Sequence, residues 1–176
     1  MEKQFGTLRQ YQERLLARIN AQRTTGPASS YLAVEVAGQP WVIRLSDVSE
    51  VMPIPVVTTV PNTRPWFRGV TNIRGVLHSV VDLAHFLGED PTPVDSTSRL
   101  ILLGRQYRLN AGVLVSRSLG LRNPDALGQA NAGSHPWADG AFRDVEGMQW
   151  ILLNVRALCA APSFIEVGVV TDAAAA

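Results

Sequence analysis

Three histidines and one cysteine are the side chains of this 176-residue sequence best suited to metal or nucleophilic chemistry. His78 lies in a strand-like stretch, His85 in a short helical stretch and His135 in a loop rich in glycine and proline. The three share no spacing with each other or with the carboxylates that a metal site uses. Cys159 lies in an apolar segment, which favours an inert buried thiol over a nucleophile. We therefore predict no metal ligand and no catalytic residue.

Other motifs of catalysis and cofactor binding are missing from the sequence. Gly69 and Gly75 are not followed by the Lys-Ser/Thr pair of a phosphate-binding loop. There is no Gly-x-Ser-x-Gly elbow, and the scattered carboxylates nominate no acid–base pair. We predict a protein that is not an enzyme and binds no cofactor, although an enzyme with an unrecognised site stays open as an alternative.

The segment from Phe67 to Gly75 has the residue types of a recognition surface. Its two glycines permit backbone geometry, or a close approach, that a Cβ atom would block. Arg74 lies at a strand end or turn, where it is either an ordinary solvated arginine or one that forms several directional hydrogen bonds to a partner or to neighbouring loops. Trp66 and Phe67 are either core or exposed aromatic residues. For Phe67 we favour the core, because Phe142 recurs in the second half of the chain.

Composition and charge limit the classes of function. Hydrophobic residues make up 46% of the chain and the net charge is +1, so the protein is globular and is not drawn to nucleic acid or lipid by charge. The basic stretch 1–30 favours a solvated helix face over a nucleic-acid arm. One cysteine allows no internal disulfide, and the sequence has neither a signal peptide nor ~18 uninterrupted apolar residues. We expect a cytoplasmic protein.

The patterns of the first half predict a helix followed by β-structure. Leu8, Tyr11, Leu15 and Ile19 form one stripe of a helix over residues 7–23, followed by a linker. Alternation from Tyr31 onward predicts a hairpin around Gly38-Gln39. After it we predict a short helical turn at 46–51 capped by Ser46, a strand at 56–60, strands around 69–73 and 76–81, and a helix that Asp82 caps and Gly88 ends.

The second half predicts a similar series. It has strands at 100–103 and 107–115 around Gly104-Arg105-Gln106, a loop over 122–140, a strand at 148–153 and a short helix capped by Asn154. Both halves run from a hairpin to a Phe-Arg-x-Val stretch and then to a strand with a capped helix. This repetition indicates two small β-units in tandem, for which short strands favour barrels over a sandwich.

The segment from Phe67 to Gly75, followed by Val80-Val81-Asp82-Leu83, resembles the signature of CheW-like chemotaxis coupling proteins. The resemblance extends from Tyr31 to Leu158, and Asp47–Val51 matches the family's Val-x-Glu-Ile/Val segment. It implies an all-β fold with short helices, in which two five-stranded SH3-like barrels are intertwined. Two stretches depart from the family pattern, His78-Ser79 and the run from Val115 to Ser118.

The resemblance implies a non-enzymatic adaptor between the cytoplasmic tip of a chemoreceptor and the regulatory domain of a CheA-type histidine kinase. Carried over residue by residue, it assigns partner binding to Val48, Glu50, Val51, Asn72 and Arg74. An apolar groove between the barrels would accept a helical hairpin, while the arginine and glutamate would set its orientation.

The N-terminal extension is similar to that of the pilus-type adaptors that serve twitching motility. We predict three parts: an N-terminal helix and linker over 1–30, a CheW-like domain over 31–160 and a C-terminal segment over 161–176. The alternative function is a small β-barrel that binds nucleic acid, or a general protein-interaction module. A nucleic-acid binder should show basic and aromatic stacking positions on one face.

Overall fold

The computed structural model describes residues 30–123, 126–131 and 135–169, so the predicted helix 7–23 lies outside the described residues. The described chain is mostly β-structure, with three short helices and two 3₁₀ turns at Leu45–Asp47 and Arg105–Tyr107. The strands are β1 Tyr31–Val36, β2 Gln39–Arg44, β3 Val48–Pro53, β4 Phe67–Ile73, β5 Val76–Asp82, β6 Arg99–Leu103, β7 Ala111–Val115, β8 Arg117–Arg122, β9 Gly128–Ala130, β10 Ala138–Arg143 and β11 Gln149–Leu153. The helices are α1 Leu83–Phe86, α2 Val155–Ala160 and α3 Pro162–Ile165.

Two sheets form the two predicted barrels. Barrel 1 has the strand order β8-β1-β2-β11-β10-β9, and barrel 2 has the order β3-β6-β7-β5-β4. The prediction of two intertwined barrels is confirmed, except that β9 adds a sixth strand to barrel 1. That strand is short and contains little apolar sequence, which is why the hydrophobic pattern did not predict it.

The barrels are intertwined because each half of the chain contributes strands to both sheets. The first hairpin of each half lies in one sheet, and the last strands of that half lie in the other. The hairpin β6–β7 pairs with β3 on one side and, in parallel, with β5 on the other. The hairpin β1–β2 pairs with β8 and, in parallel, with β11. Neither half could therefore complete a sheet alone, because its hairpin would keep unpaired edges.

The main hydrophobic core lies between the two barrels. Leu32, Val34 and Val36 alternate along β1 and join it, whereas Ala33 points into barrel 1. Ile101 and Leu103 of β6 join the same core, whereas Leu100 and Leu102 fill barrel 2. Both faces of these central strands are therefore buried, and this explains their nearly continuous apolar sequences.

Two of the three predicted helix caps are confirmed, those at Asp82 and Asn154. The Asp82 carboxylate accepts a hydrogen bond from His85 N at 3.3 Å, and Asn154 Oδ1 accepts one from Ala157 N at 2.9 Å. Asp82 is fully buried and also accepts bonds from Thr92 N and Thr92 Oγ1 at 2.9 and 2.7 Å. It therefore holds the connector between the two halves as well as the start of α1.

The tandem repeat is present, but the match of Phe67 with Phe142 is wrong. Phe67 pairs with the residue just before the cap Asp82, whereas Phe142 pairs with Trp150, four residues before the cap Asn154. The register instead aligns Pro65-Trp66-Phe67-Arg68-Gly69 with Pro136-Trp137-Ala138-Asp139-Gly140. Trp66 O and Trp137 O accept bonds from the two cap residues at 2.8 Å, and Gly69 and Gly140 have φ values of 129° and 130°.

Four other predicted elements differ from the structure. Residues 46–51 form a 3₁₀ turn and then β3 rather than a capped helical turn, since backbone pairing with β6 outweighs the local capping preference. Residues 56–60 form a single bridge, Thr58 to Val70, because prolines on both sides interrupt the strand. The strand predicted from Tyr107 begins at Ala111, and the loop predicted over 122–140 contains β9 and the start of β10. Among the described residues, no helix is long and apolar enough to cross a membrane.

Candidate partner-binding surface

The turn between β4 and β5 presents Arg74 at the end of barrel 2. Ile73 pairs with Val76, so Arg74 and Gly75 form a two-residue turn, with φ values of 51° and 84°. Positive φ at both positions is the type I′ geometry that matches the twist of the strands. Asn72 Oδ1 accepts a hydrogen bond from Gly75 N at 2.8 Å and fixes the turn. Of the predicted site residues, Asn72 therefore fixes the backbone of the turn that carries Arg74.

Arg74 is both largely exposed and held in place. Its two terminal nitrogens donate to the two carboxylate oxygens of Glu50, each at 2.7 Å. The side chains are 75% and 29% exposed, so the pair contributes at most about 1 kcal/mol to stability. A bidentate contact does, however, fix the plane of the guanidinium. The structure thus agrees with an arginine that bonds to a neighbouring element rather than a freely solvated one.

A bulge in β3 separates the predicted site residues into two groups. Val48 pairs with Leu103 and Glu50 with Leu102, so Ser49 is an extra residue. Because paired residues share a face of the sheet, Val48 and Val51 lie on the face toward the main core and Glu50 lies on the opposite face. Val48 packs against that core, whereas Val51 is 37% exposed. Without the bulge, the two valines would point to opposite faces.

The five predicted residues are therefore not one patch. Glu50, Asn72 and Arg74 come together at the end of barrel 2. There Glu50 and Arg74 help to line an open groove of about 590 Å³, which we call the rim groove; its lining also includes Ile73, Leu102, Arg105 and Arg108. Val48 and Val51 lie on the other face of β3, which we call the inter-barrel face. The structure thus offers two adjacent surfaces, one apolar and one charged.

The contact that holds the start of β3 is not predicted from the sequence. Tyr107 Oη donates to Asp47 Oδ1 at 2.6 Å, Gln106 Nε2 donates to Ser46 O at 2.7 Å, and Gly104 N donates to Asp47 O at 2.8 Å. These bonds join the β6–β7 connection to the residues that precede Val48. A tight hairpin at Gly104-Arg105-Gln106 would not form these bonds, so that interpretation of the sequence did not predict them. A tyrosine and polar residues after Gly104 do favour a longer loop.

Burial raises the pKa of two groups near this contact. The pKa of Tyr107 rises to about 12 because the phenol is partly buried and its hydroxyl donates to Asp47. Burial and the charge of Asp47 raise the pKa of the Cys159 thiol to about 11. A thiol with this pKa is almost entirely protonated at neutral pH, which agrees with the prediction of an inert cysteine.

These shifts predict a loss of stability at alkaline pH. The folded protein favours the neutral phenol and thiol, so their contribution is complete below the ordinary pKa values of 9.0 and 10.0 and is lost as pH rises toward about 11 and 12. Urea unfolding across this interval should show a falling free energy of unfolding. Tyr107→Phe should flatten the slope against pH, even though the variant is less stable overall. An unchanged slope would contradict the assignment to Tyr107.

The histidines have structural surroundings. His78 Nδ1 lies 3.0 Å from Val76 O, and His135 packs edge-on against Trp41, where burial lowers its pKa. His85 Nδ1 is buried without a hydrogen-bond partner among the described residues. Over those same residues no group of three or more His, Cys, Asp or Glu side chains could hold a metal ion.

Trp66 and Phe67 pack inward. Phe67 is 8% exposed and belongs to the main core, as predicted. Trp66 stacks parallel to Phe164 at 6.3 Å and meets Phe86 edge-on at 5.2 Å. Phe86 also contacts Trp137 of the second repeat at 5.3 Å. The aromatic residues at the start of β4, the end opposite the Arg74 turn, thus join the two repeats rather than form exposed contact points.

Comparisons with known proteins agree with this architecture. The family model described as CheW-like domain matches residues 30–163. Protein PilI of Pseudomonas aeruginosa is 26% identical over 162 residues, which cover 89% of each chain. The crystal structure of the scaffolding protein TtCheW from Thermoanaerobacter tengcongensis has the same fold, with a TM-score of 0.65 and 18% identity over 77% of this chain and 95% of that one. The chain belongs to the CheW-like domain family, whose members are non-enzymatic coupling and scaffold proteins.

Proposed function

We propose that the chain is a cytoplasmic adaptor that couples a methyl-accepting chemoreceptor to a CheA-type histidine kinase. The observation that carries the proposal is the bidentate contact between Glu50 and Arg74. Two residues from separate segments, both of which the family resemblance assigns to partner binding, meet at one open end of a barrel. Since an exposed pair adds little stability, its rigid geometry is better explained by recognition.

The inter-barrel face supplies a second surface for the same adaptor. Val51 is exposed on the face toward the main core, and Val48 packs against that core. A helical hairpin of a receptor tip could lay an apolar stripe along this face. We therefore assign Val48 and Val51 to receptor binding, and Glu50, Asn72 and Arg74 to orienting the receptor or the kinase regulatory domain.

The likeness to PilI over most of both chains supports a pilus-type adaptor. We propose that this chain acts in the chemotaxis-like pathway that controls type IV pilus twitching motility. We also propose that residues 1–30 form an N-terminal helix and linker, residues 31–160 the coupling domain and residues 161–176 a C-terminal segment and tail, of which Phe164 packs into the main core.

Val51→Glu is expected to weaken binding of the receptor tip by at least about tenfold, because it places a charge where an apolar side chain should be buried. Val51 is 37% exposed in the free protein, so the variant should fold. Leu121→Glu is the matched control: Leu121 is the second residue after the bulge of β8, as Val51 is in β3, and it is 59% exposed. Binding of the purified tip can be measured by calorimetry.

The two variants separate the proposed face from a general effect of charge. The proposal expects Val51→Glu to lose binding and Leu121→Glu to keep it. If both variants bind as the wild type does, the receptor does not use the inter-barrel face of barrel 2. If the wild type binds neither the receptor tip nor the kinase domain, the adaptor function itself is wrong.

A further inference from the structure

The connection between β6 and β7 is longer than its counterpart in the other barrel. Ala37 and Gly38 join β1 and β2 in a two-residue turn. Residues 104–110 join β6 and β7 and contain a 3₁₀ turn, after which Arg108 adopts a left-handed conformation with φ of 54°. Barrel 2 therefore carries an additional loop, and this loop lies on the rim groove.

This loop is fixed in place before any partner binds. Its side chains Gln106 and Tyr107 and the Gly104 amide all bond to Ser46 or Asp47, at 2.6 to 2.8 Å. Arg105 lies between the anchors Gly104 and Gln106, and Arg108 follows the anchor Tyr107. Both arginines are exposed. A loop held at three points loses little conformational entropy on binding, so its arginines are preorganised.

The rim groove has an excess of positive charge. Arg74, Arg105 and Arg108 line it against one carboxylate, Glu50, and that carboxylate is already paired with Arg74. Within the described part of the chain, the side chains of Arg105 and Arg108 have no ion pair and no hydrogen bond. The same groove has apolar walls formed by Ile73, Leu102, Leu103 and Leu109.

We propose that the rim groove binds an acidic segment of a partner protein, in which carboxylates flank an aliphatic side chain. Arg105 and Arg108 are its specificity-determining residues, because a guanidinium matches the geometry of a carboxylate. The apolar walls would receive the aliphatic side chain. A nucleic acid fits this groove less well because no Phe, Tyr or Trp lines it, and His78 is the single aromatic ring in its lining that could stack on a base. The function proposed above makes no use of Arg105 or Arg108.

The test is an NMR titration of the ¹⁵N-labelled full chain with a synthetic peptide of sequence Asp-Glu-Leu-Leu-Asp-Glu. The acidic peptide should shift the amide signals of residues 104–110 and of Arg74, whereas the amide counterpart Asn-Gln-Leu-Leu-Asn-Gln should not. The double variant Arg105→Ser, Arg108→Ser should weaken binding at least about tenfold and reduce its dependence on salt. Arg143→Ser with Arg156→Ser, which changes two exposed arginines outside the groove, should leave binding unchanged.

Several results would overturn the proposal. The proposal is wrong if the two peptides bind equally well, or if about 1 mM acidic peptide shifts no amide signal. It is also wrong if the double variant at Arg105 and Arg108 binds the acidic peptide as tightly as the wild type does. Displacement of the peptide by an oligothymidylate at equal concentration would assign the groove to nucleic acid instead. Because both substituted side chains are exposed, a thermal melt should confirm that the variant is folded. If the protein binds the acidic peptide but neither receptor nor kinase, the proposed adaptor function is wrong and the proposal for the rim groove still stands.

Discussion

Gly69→Ala is expected to lower the free energy of unfolding by several kcal/mol or to prevent folding. An alanine Cβ at this position would lie 2.1 Å from Thr58 O and 2.7 Å from Thr58 C, and neither backbone atom can move alone. Thr58 and Val70 exchange two backbone hydrogen bonds, at 2.8 and 2.9 Å, which close the free edge of β4. The φ of 129° at Gly69 adds strain for any residue with a Cβ, about 1–3 kcal/mol.

Gly140 provides the matched control for this prediction. It occupies the equivalent position in the second repeat, its φ is 130°, and a Cβ there would meet no heavy atom within 4 Å. Gly140→Ala should therefore show the backbone strain alone. Gly69→Ala should cost at least about 2 kcal/mol more, as overpacking does. Urea unfolding of both variants measures the difference. Equal losses of stability would contradict the close approach of residue 58 to β4.

The segment that contains Thr58 also connects the backbone of β4 to the candidate surface. Thr71 Oγ1 donates to Val56 O at 2.8 Å, so the segment before β4 is bonded to the strand that ends at Asn72 and Arg74. Glu50 lies on the strand that leads into the same segment. The position of the Arg74 turn therefore depends on the segment between β3 and β4, which has no regular secondary structure.

The fold could be predicted to the level of strands and caps because those signals are local. Alternation of apolar residues gave the hairpin β1–β2, and Asp82 and Asn154 showed where α1 and α2 begin. The register of the repeat is not local. The pattern aligned Phe142 with Phe67 on residue type, whereas the bulges at Gly69 and Gly140 set the true alignment. Positive φ at those glycines follows from strand pairing, which the sequence does not display.

The candidate surface could be predicted only in part for the same reason. The family signature indicated Glu50 and Arg74, but their bidentate contact depends on how β3 and the β4–β5 turn meet in space. The shared face of Val48 and Val51 depends on the extra residue Ser49. Arg105 and Arg108 were overlooked because Gly104-Arg105-Gln106 is typical of a tight turn, and the anchors at Ser46 and Asp47 lie 60 residues away.

Arg74→Glu is expected to leave the fold intact and to abolish coupling. The pair with Glu50 is exposed, so its loss should cost about 1 kcal/mol or less. Two carboxylates would then face each other at the rim groove and repel a partner that is oriented by the arginine. Arg117→Glu is the matched control, since Arg117 forms a similarly exposed pair with Glu35 in barrel 1, at 2.6 Å. That variant should lose similar stability and keep its coupling activity.

The proposed adaptor function requires that this protein connect a receptor to a kinase. The direct measurement is sedimentation of kinase regulatory domain with receptor tips displayed on vesicles, with and without this protein. We predict that the kinase domain sediments only when the wild-type protein or Arg117→Glu is present. With Arg74→Glu it should stay in the supernatant, although circular dichroism should show that this variant is fully folded. Kinase that sediments equally without the protein, or that stays in the supernatant with the wild type, would contradict the proposed adaptor function.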